Sequence, residues 1–133
     1  MYIIIYDFGT SSVKTCLFEI DSEIRLVASA TAAYGLYISE DGGAEQDTEE
    51  WWESLCHTTR ELFKKSEVKN TEIGGLAFCS QMQGTVLVDK NGNAVRRPMN
   101  YLDQKGTKEY KDCMGSGIIK VSGCSLYKLV ECI

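Results

Sequence analysis

The opening segment of this chain constrains its fold more than any other segment does. Residues 1–20 read MYIIIYDFGTSSVKTCLFEI. An apolar run ends at Asp7, Gly9 and three hydroxyl residues follow, and a second strand-like run starts at Val13. This order predicts a β-hairpin in which the acid holds a hydrated cation, the glycine lets the backbone approach an anion, and the hydroxyl and N–H groups donate to phosphate oxygens. An ordinary polar hairpin turn is the alternative.

The composition favours one domain with a hydrophobic core. The chain has 133 residues, of which 44% are hydrophobic and 25% charged, which suits a single soluble domain. A net charge of −5 argues against binding to nucleic acid or to an anionic membrane. The opening apolar run is too short to span a membrane and lacks the basic flank of a signal peptide. We therefore expect a cytoplasmic protein that binds neither nucleic acid nor a membrane.

The cysteine pattern indicates reduced thiols. The six cysteines form no C-x-x-C pair, and they are Cys16, Cys56, Cys79, Cys113, Cys124 and Cys132. Because several lie inside apolar runs, we expect buried, reduced cysteines in a cytoplasmic protein. The single histidine, His57, has no cluster of ligands around it, which argues against a zinc site.

The hydrophobic pattern predicts three hairpin-linked strands, a helix and a fourth strand. The strands are predicted at residues 2–7, 12–20, 24–33 and 73–79. A loop over residues 34–46 precedes Asp47, which has the chemistry of a helix N-cap. Apolar positions then recur at three- and four-residue steps from Trp51 to Phe63, typical of a helix with one apolar face. Because this helix lies between strands, we expect the fourth, largely buried strand to join the sheet in parallel.

The later segments are shorter. A strand is predicted at residues 85–88, a hairpin turn at Asn91-Gly92, a polar helix at 103–114 and a helix start at 125–133. The order βββαβ is that of a ribonuclease H-like half-domain, an α/β fold with a mixed sheet flanked by helices. Two such halves face each other around a nucleotide in the actin-like ATPase superfamily, and this chain supplies one.

Four segments resemble motifs of known families. The opening hairpin resembles the first phosphate-binding motif of the actin-like ATPase superfamily. Three later segments resemble the FGGY carbohydrate kinases of that superfamily, most closely the xylulokinase- and glycerol kinase-like members. The first, GAEQDTEEWW at residues 43–52, resembles acid-Gln/His-Asp-Pro-x-x-Trp-Trp, with Thr48 in place of proline. A capping motif with a core tryptophan pair explains Asp47 and Trp52 but does not require Glu45.

The second segment lies at the end of the predicted fourth strand. It reads GLAFCSQMQG over residues 75–84 and resembles the family's strand ending in Gly/Ser-Gln-Met-His-Gly. Gln83 replaces the histidine common in xylulokinases. An amide donates and accepts hydrogen bonds but cannot take a proton, which puts xylulose as the substrate in doubt. A polar exit from a strand is the alternative.

The third segment is a hairpin followed by an aromatic and charged signature. It reads VLVDKNGNAVRRPMNYLDQK over residues 86–105 and resembles Pro-x-x-x-Trp-x-Asp-x-Arg. Tyr101 replaces the tryptophan, Lys105 replaces the arginine, and Pro98 is one residue closer to the aromatic. Lysine keeps the charge of arginine but loses its bidentate fork. The alternative makes Asp103 a helix N-cap and Tyr101 a core residue.

The resemblance implies an N-terminal part of an ATP-dependent carbohydrate kinase over residues 1–133, with ATP and Mg²⁺ as cofactors and a sugar or polyol as substrate. It implies cofactor binding by Asp7, Gly9, Thr10, Ser11, Ser12 and Lys14, with Mg²⁺ near Asp7. It implies substrate binding by Glu45, Gln81, Met82, Gln83, Tyr101 and Asp103.

The resemblance also implies parts that lie outside this chain. The catalytic aspartate is expected beyond residue 133 and the C-terminal ATP-binding domain is absent, so the chain alone is expected to be inactive. Without that domain, apolar surface that it would cover is expected to be exposed, which predicts homo-oligomerisation or limited solubility. The alternative is a non-catalytic sugar- or nucleotide-binding module from a truncated kinase gene. The segments at 81–84 and 101–103 argue against an acetate kinase- or actin-like protein of another substrate class.

Overall fold

A computed structural model describes residues 1–107, 109 and 111 of the chain. Its elements are β1 (Tyr2–Phe8), β2 (Ser12–Ile20), β3 (Ile24–Ala33), β4 (Tyr37–Ile38), β5 (Ala44–Glu45), α1 (Thr48–Ser66), a short 3₁₀ helix (Asn70–Glu72) and β6 (Ile73–Ser80). The chain divides into two compact units. The first comprises Met1–Gly35 and Glu49–Gln81, and the second comprises Leu36–Thr48 and the described residues from Met82 onward.

A mixed four-stranded sheet forms the first unit, with the strand order β3-β2-β1-β6. β1 pairs antiparallel with β2, and β2 pairs antiparallel with β3. β6 pairs in parallel with β1 after the helical crossover through α1. The predicted βββαβ order, the bounds of the first three strands to within one residue and the parallel return are confirmed.

The hydrophobic core of the first unit lies between the sheet and α1. Its buried members are Ile4, Tyr6, Val13, Leu17, Ala30, Tyr34 and Leu62. Because side chains alternate along a strand, Ile4 and Tyr6 face α1 while Asp7 lies on the opposite face of the sheet. This alternation keeps the acid at the end of β1 out of the core.

The buried face of α1 is more polar than the sequence predicts. The fully or nearly buried helix residues are Ser54, Thr58 and Leu62, at four-residue steps. Thr58 Oγ1 lies 2.7 Å from Thr15 Oγ1 on β2, and both residues are completely buried. The prediction of a core Trp52 is wrong, because that side chain is 63% exposed. Hydroxyl groups can replace apolar groups here because each finds a partner on the sheet or on the helix itself.

The fourth strand is exposed rather than buried. β6 lies at the edge of the sheet, and Leu76 and Phe78 are 57% and 63% exposed. The prediction of a largely buried strand is therefore wrong for the described residues, since an apolar run by itself does not place a strand inside a sheet. Cys79 on this strand is an exposed free thiol, contrary to the predicted burial, while Cys16 and Cys56 are free and partly buried.

The second unit contains short pairings that the sequence did not indicate. β4 and β5 pair antiparallel within residues 34–46, which were predicted as a loop. Instead of the predicted strand at residues 85–88, single bridges join Thr85 to Met99 and Val88 to Ala94. The predicted Asn-Gly turn is present, with Gly92 at a φ of 87°. Glycine suits that left-handed conformation because it has no Cβ.

Several predictions fall near or beyond the end of the described residues. Residues 107, 109 and 111 are helical, whereas 103–106 are not. The rest of the predicted helix at 103–114, the helix start at 125–133 and the cysteines at 113, 124 and 132 lie outside the described residues. Within residues 1–107, 109 and 111, no helix has the length and apolar character needed to cross a bilayer.

The paired hydroxyls of Thr15 and Thr58 give a test of the packing between the sheet and α1. Thr58→Val is expected to lower the free energy of unfolding by about 1–3 kcal/mol, because the buried Thr15 hydroxyl loses its partner. The double variant Thr15→Val/Thr58→Val is expected to recover most of this loss, since neither polar group remains. Urea denaturation measures both, with Thr31→Val on the exposed side of β3 as the control. A double variant as unstable as the sum of the single variants would contradict the pairing.

Candidate functional site

One end of the first unit brings together the six residues predicted to bind the cofactor. The Gly9 N–H donates to the Ser12 carbonyl at 2.9 Å and closes the hairpin between β1 and β2. We call residues 9–12 the 9–12 turn. The six residues lie on this turn and on the adjoining strand ends, and they are Asp7, Gly9, Thr10, Ser11, Ser12 and Lys14.

Asp7 lies in the centre of a row of side chains across three strands. Its register partners are Lys14 on β2 and Cys79 on β6. All three residues are exposed, and register partners project from the same face of a sheet. The face opposite α1 therefore presents a carboxylate flanked by an ammonium group and a thiol. Sequence reasoning missed the neighbouring Cys79, because register across a parallel pair is not visible in the sequence.

Tyr34 contacts the 9–12 turn from the α1 side. Its hydroxyl donates to the Gly9 carbonyl at 2.5 Å, and its N–H donates to the Ser11 carbonyl at 3.0 Å. Burial, together with the negative charge of Asp7, raises the pKa of Tyr34 to about 12. Tyr34 begins the segment predicted as a loop, and no motif in the sequence marks its contact with the turn.

The residues at the 9–12 turn are compatible with Mg²⁺. Among residues 1–107, 109 and 111, no group of three His, Cys, Asp or Glu side chains could hold a metal ion by itself. Mg²⁺ commonly keeps several waters and is bound by one or two carboxylates together with substrate phosphates. A single exposed carboxylate at Asp7 fits that mode of binding.

In the second unit, Glu45 on β5 is the centre of an ion-pair cluster. Lys105 Nζ lies 2.6 Å and an Arg96 guanidinium nitrogen 2.8 Å from the same carboxylate oxygen of Glu45. Burial raises the pKa of Glu45, but the bonds from Lys105 and Arg96 outweigh burial and leave this pKa below its usual value. Glu45 therefore stays ionised and holds Lys105 in place.

Asp103 is completely buried and holds the first residue of β5. Its carboxylate accepts hydrogen bonds from the backbone N–H of Ala44 at 2.8 Å and of Lys105 at 3.2 Å. Lys105 Nζ lies 3.7 Å from the same carboxylate. The structure thus joins Glu45 and Asp103, two predicted substrate-binding residues, through Lys105. Asp103 is not a helix N-cap, because the residues directly after it are not helical.

A buried amide pair beside this cluster was missed in the sequence. The Asn100 side-chain nitrogen donates to the Gln46 side-chain oxygen at 3.3 Å. Gln46 is 1% exposed and Asn100 is fully buried. Buried polar groups are costly unless hydrogen-bonded, so this pair ties the residue after β5 to the segment after Pro98. The only signal for Gln46 was its place between Glu45 and Asp47 in the first motif.

Met82, Gln83 and Tyr101 are exposed in the second unit. Thr85 and Met99 exchange two backbone hydrogen bonds, of 2.9 and 3.0 Å. Gln83 precedes that pair by two residues and Tyr101 follows it by two, so both leave the same end of the pairing. Gln83 has a φ of 62°, which is uncommon for a residue other than glycine and recurs at functional sites. Gln81 belongs to the first unit, where its N–H donates to the Phe8 carbonyl at 2.8 Å.

Comparison with known proteins gives a consistent result. The model of the FGGY family of carbohydrate kinases, N-terminal domain, matches residues 2–122. A xylulose kinase of Staphylococcus epidermidis is 31% identical over 101 residues, which cover 76% of this chain and 20% of the relative. A glycerol kinase of Agrobacterium fabrum is 26% identical over 118 residues, 88% of this chain and 23% of the relative. The chain therefore spans about a fifth of the length of the curated relatives that it matches.

Solved structures resemble this chain in fold. The xylulose kinase from Brucella ovis has a TM-score of 0.78 at 23% identity and is matched over 89% of this chain and 24% of its own. The gluconate kinase from Lactobacillus acidophilus has a TM-score of 0.77 at 22% identity, over 87% of this chain and 23% of its own. At these identities the likeness establishes the fold alone, and it confirms the predicted fold class.

The ion pair between Lys105 and Glu45 gives a test of the cluster. Lys105→Met is expected to raise the pKa of Glu45, which lies below 4.5 in the intact cluster, because a neighbouring positive charge is lost. A carbon-detected NMR titration of the Glu45 carboxyl measures the midpoint. Because the pKa of Glu45 is lowered on folding, its stabilising contribution is present above the unfolded-state pKa and is lost as the pH falls through the folded-state pKa. Lys90→Met in the exposed hairpin is the control, and equal midpoints in both variants would refute the assignment.

Proposed function

Because this chain belongs to the FGGY family of carbohydrate kinases, we propose that it is the N-terminal part of an enzyme that transfers the γ-phosphoryl group of ATP to a hydroxyl of a sugar or polyol. One observation carries this proposal. An exposed acid at the end of the central strand β1 leads into a turn of glycine and hydroxyl residues, within a family match over residues 2–122.

The first unit supplies the proposed phosphate-binding part. Backbone N–H groups and hydroxyls of the 9–12 turn donate to phosphate oxygens, and Lys14 adds a positive charge on the Asp7 face. Mg²⁺ held near Asp7 would neutralise charge on the phosphates. Phosphoryl transfer depends mainly on positioning and charge stabilisation, and these are the properties that a hydrogen-bonded turn beside a carboxylate provides.

The second unit supplies most of the proposed sugar-binding part. Gln83 and Tyr101 are exposed and leave the same end of the Thr85–Met99 pairing, and we assign this amide and this aromatic ring to one ligand. Amides bond sugar hydroxyls as donors and acceptors, and aromatic rings pack on the apolar faces of sugars. Met82 adds apolar surface, and Gln81 follows β6. Glu45 and Asp103 shape this part because both carboxylates contact the ammonium group of Lys105.

We assign the other groups that the proposed reaction needs to parts of the enzyme outside this chain. The residue that accepts the proton of the sugar hydroxyl is expected outside residues 1–133, as is the adenosine site. Cytoplasmic localisation and homo-oligomerisation remain predictions. Gln83, in place of the histidine common in xylulokinases, cannot take a proton from the substrate, so the proposal names a sugar or polyol and does not specify xylulose.

Binding of a polyphosphate tests the role of the first unit. Inorganic triphosphate with Mg²⁺ is expected to shift the amide resonances of the 9–12 turn in an NMR titration of the 133-residue chain. Asp7→Asn is expected to weaken this binding roughly tenfold or more, because it removes the negative charge that would hold Mg²⁺ and contacts to charged groups are stronger than contacts to neutral ones. Asp21→Asn in the exposed β2–β3 turn is the matched control. Shifts that avoid the 9–12 turn, or equal losses in both variants, would contradict the assignment.

Turnover and sugar affinity separate the two candidate functions. The chain is expected to release no ADP from ATP when sugars and polyols such as xylulose, glycerol, gluconate and ribulose are added, because transition-state stabilisation needs both sides of a cleft. The same ligands are then titrated against the chain. Sugar-dependent ADP release by pure protein would refute the expected inactivity. If the chain binds a sugar without turnover, and the gene encodes no further kinase segment, the non-catalytic binding module is favoured.

A further inference from the structure

We infer that Tyr34 is a positioning residue for the 9–12 turn, and that it holds the Gly9–Thr10 peptide so that the Thr10 N–H faces the Asp7 side of the sheet. The inference deepens the proposed function and rests on it, because the N–H group is useful only if the turn binds an anion. None of the matched sequence motifs includes Tyr34.

Two hydrogen bonds from one residue hold both halves of the turn. The Tyr34 hydroxyl donates to the Gly9 carbonyl at 2.5 Å, and the Tyr34 N–H donates to the Ser11 carbonyl at 3.0 Å. The turn is also closed internally by the bond from the Gly9 N–H to the Ser12 carbonyl at 2.9 Å. These three bonds restrict the backbone of a segment that contains a glycine and would otherwise be free to rotate.

The direction of the Gly9 carbonyl determines the direction of the next N–H. In a planar trans peptide the C=O and N–H bonds point in opposite directions. Tyr34 belongs to the core between the sheet and α1, together with Tyr6 and Leu62. The Gly9 carbonyl therefore points towards α1 and the Thr10 N–H points towards the opposite face, which carries Asp7 and Lys14.

Tyr34 is itself held by the beginning of α1. It is only 9% exposed, and the Trp51 ring packs against it edge-on with 6.5 Å between ring centroids. The N–H of the next residue, Gly35, donates to a Glu50 carboxylate oxygen at 2.6 Å. The first turn of α1 thus fixes the end of β3, and Tyr34 transmits that constraint to the 9–12 turn.

The hydroxyl of Tyr34 keeps its proton at neutral pH. Burial, and secondly the charge of Asp7, raise the pKa of Tyr34 from 10.0 to about 12. Because this pKa is raised on folding, the stabilising contribution is complete below pH 10 and is lost as the pH rises towards the folded-state pKa of about 12. The bond to the Gly9 carbonyl is therefore maintained across the range in which a phosphate-binding site operates.

Tyr34→Phe tests the inference, because it removes only the hydroxyl. The exchange rate of the Gly9 amide hydrogen is expected to rise roughly two- to tenfold, the range expected for one lost hydrogen bond. Affinity for inorganic triphosphate with Mg²⁺ is expected to fall by a similar factor, and the Thr10 amide resonance is expected to shift. Tyr2→Phe is the matched control, since its hydroxyl bonds to Glu19 at 3.2 Å near the other end of β1 and should leave all three readouts unchanged.

The outcomes separate this inference from the proposed function. Unchanged Gly9 exchange in Tyr34→Phe overturns the inference, and so does faster exchange with unchanged triphosphate affinity, which leaves Tyr34 a purely structural role. If the wild-type chain binds no triphosphate, the proposed phosphate site fails, and the Thr10 amide alone decides whether Tyr34 orients that peptide. If Tyr34→Phe does not fold, Trp51→Phe replaces it. A smaller rise in Gly9 exchange then supports the inference, and no rise overturns it.

Discussion

The pairing of β1 along both of its edges determines where every proposed phosphate-binding group lies. β2 borders β1 on one side and β6 on the other, in a register that aligns Lys14, Asp7 and Cys79. A slip of one residue would exchange the faces of Tyr6 and Asp7, burying the acid and exposing the phenol. The buried contact of Tyr6 with α1 therefore fixes the position of the acid on the opposite face. The same pairing fixes the position of the 9–12 turn, because this turn directly follows β1.

Polar contacts as well as apolar ones hold the helix that covers this sheet. Thr58 is completely buried and pairs with the hydroxyl of Thr15, while the Tyr6 hydroxyl lies 2.9 Å from that of Thr59. Such bonds tolerate little sliding of the helix, whereas contacts among aliphatic side chains tolerate more. A fixed helix gives a fixed N-terminal turn, and that turn supports Tyr34 through Trp51. The order of the 9–12 turn thus depends on the packing of α1.

In the second unit, two residues predicted to bind the substrate contact the same lysine of this chain. Glu45 and Asp103 both bond to Lys105, and Asp103 also accepts the Ala44 N–H at 2.8 Å. A Cβ at Gly43 would lie 3.2 Å from a side-chain carbon of Lys105, so the backbone passes closely here. The two carboxylates therefore act on the shape of the unit, whereas the side chains of Gln83 and Tyr101 are exposed.

Local patterns in the sequence determined the β-hairpin with its acid and glycine turn and the amphipathic helix, because each depends on residues close together in the chain. The bounds of β2 and β3 agree with the structure for that reason. The parallel return followed from the helix that separates β3 from β6 along the chain. The tertiary structure alone decided that β6 is an edge strand, that Trp52 is exposed while Thr58 is buried, and that β4 pairs with β5. It also decided the contacts of Tyr34 with Gly9 and of Lys105 with Glu45. These properties depend on which distant segments of the chain come into contact. Hydrophobic periodicity predicts that one face of an element is buried, but it does not predict which residues pack against that face.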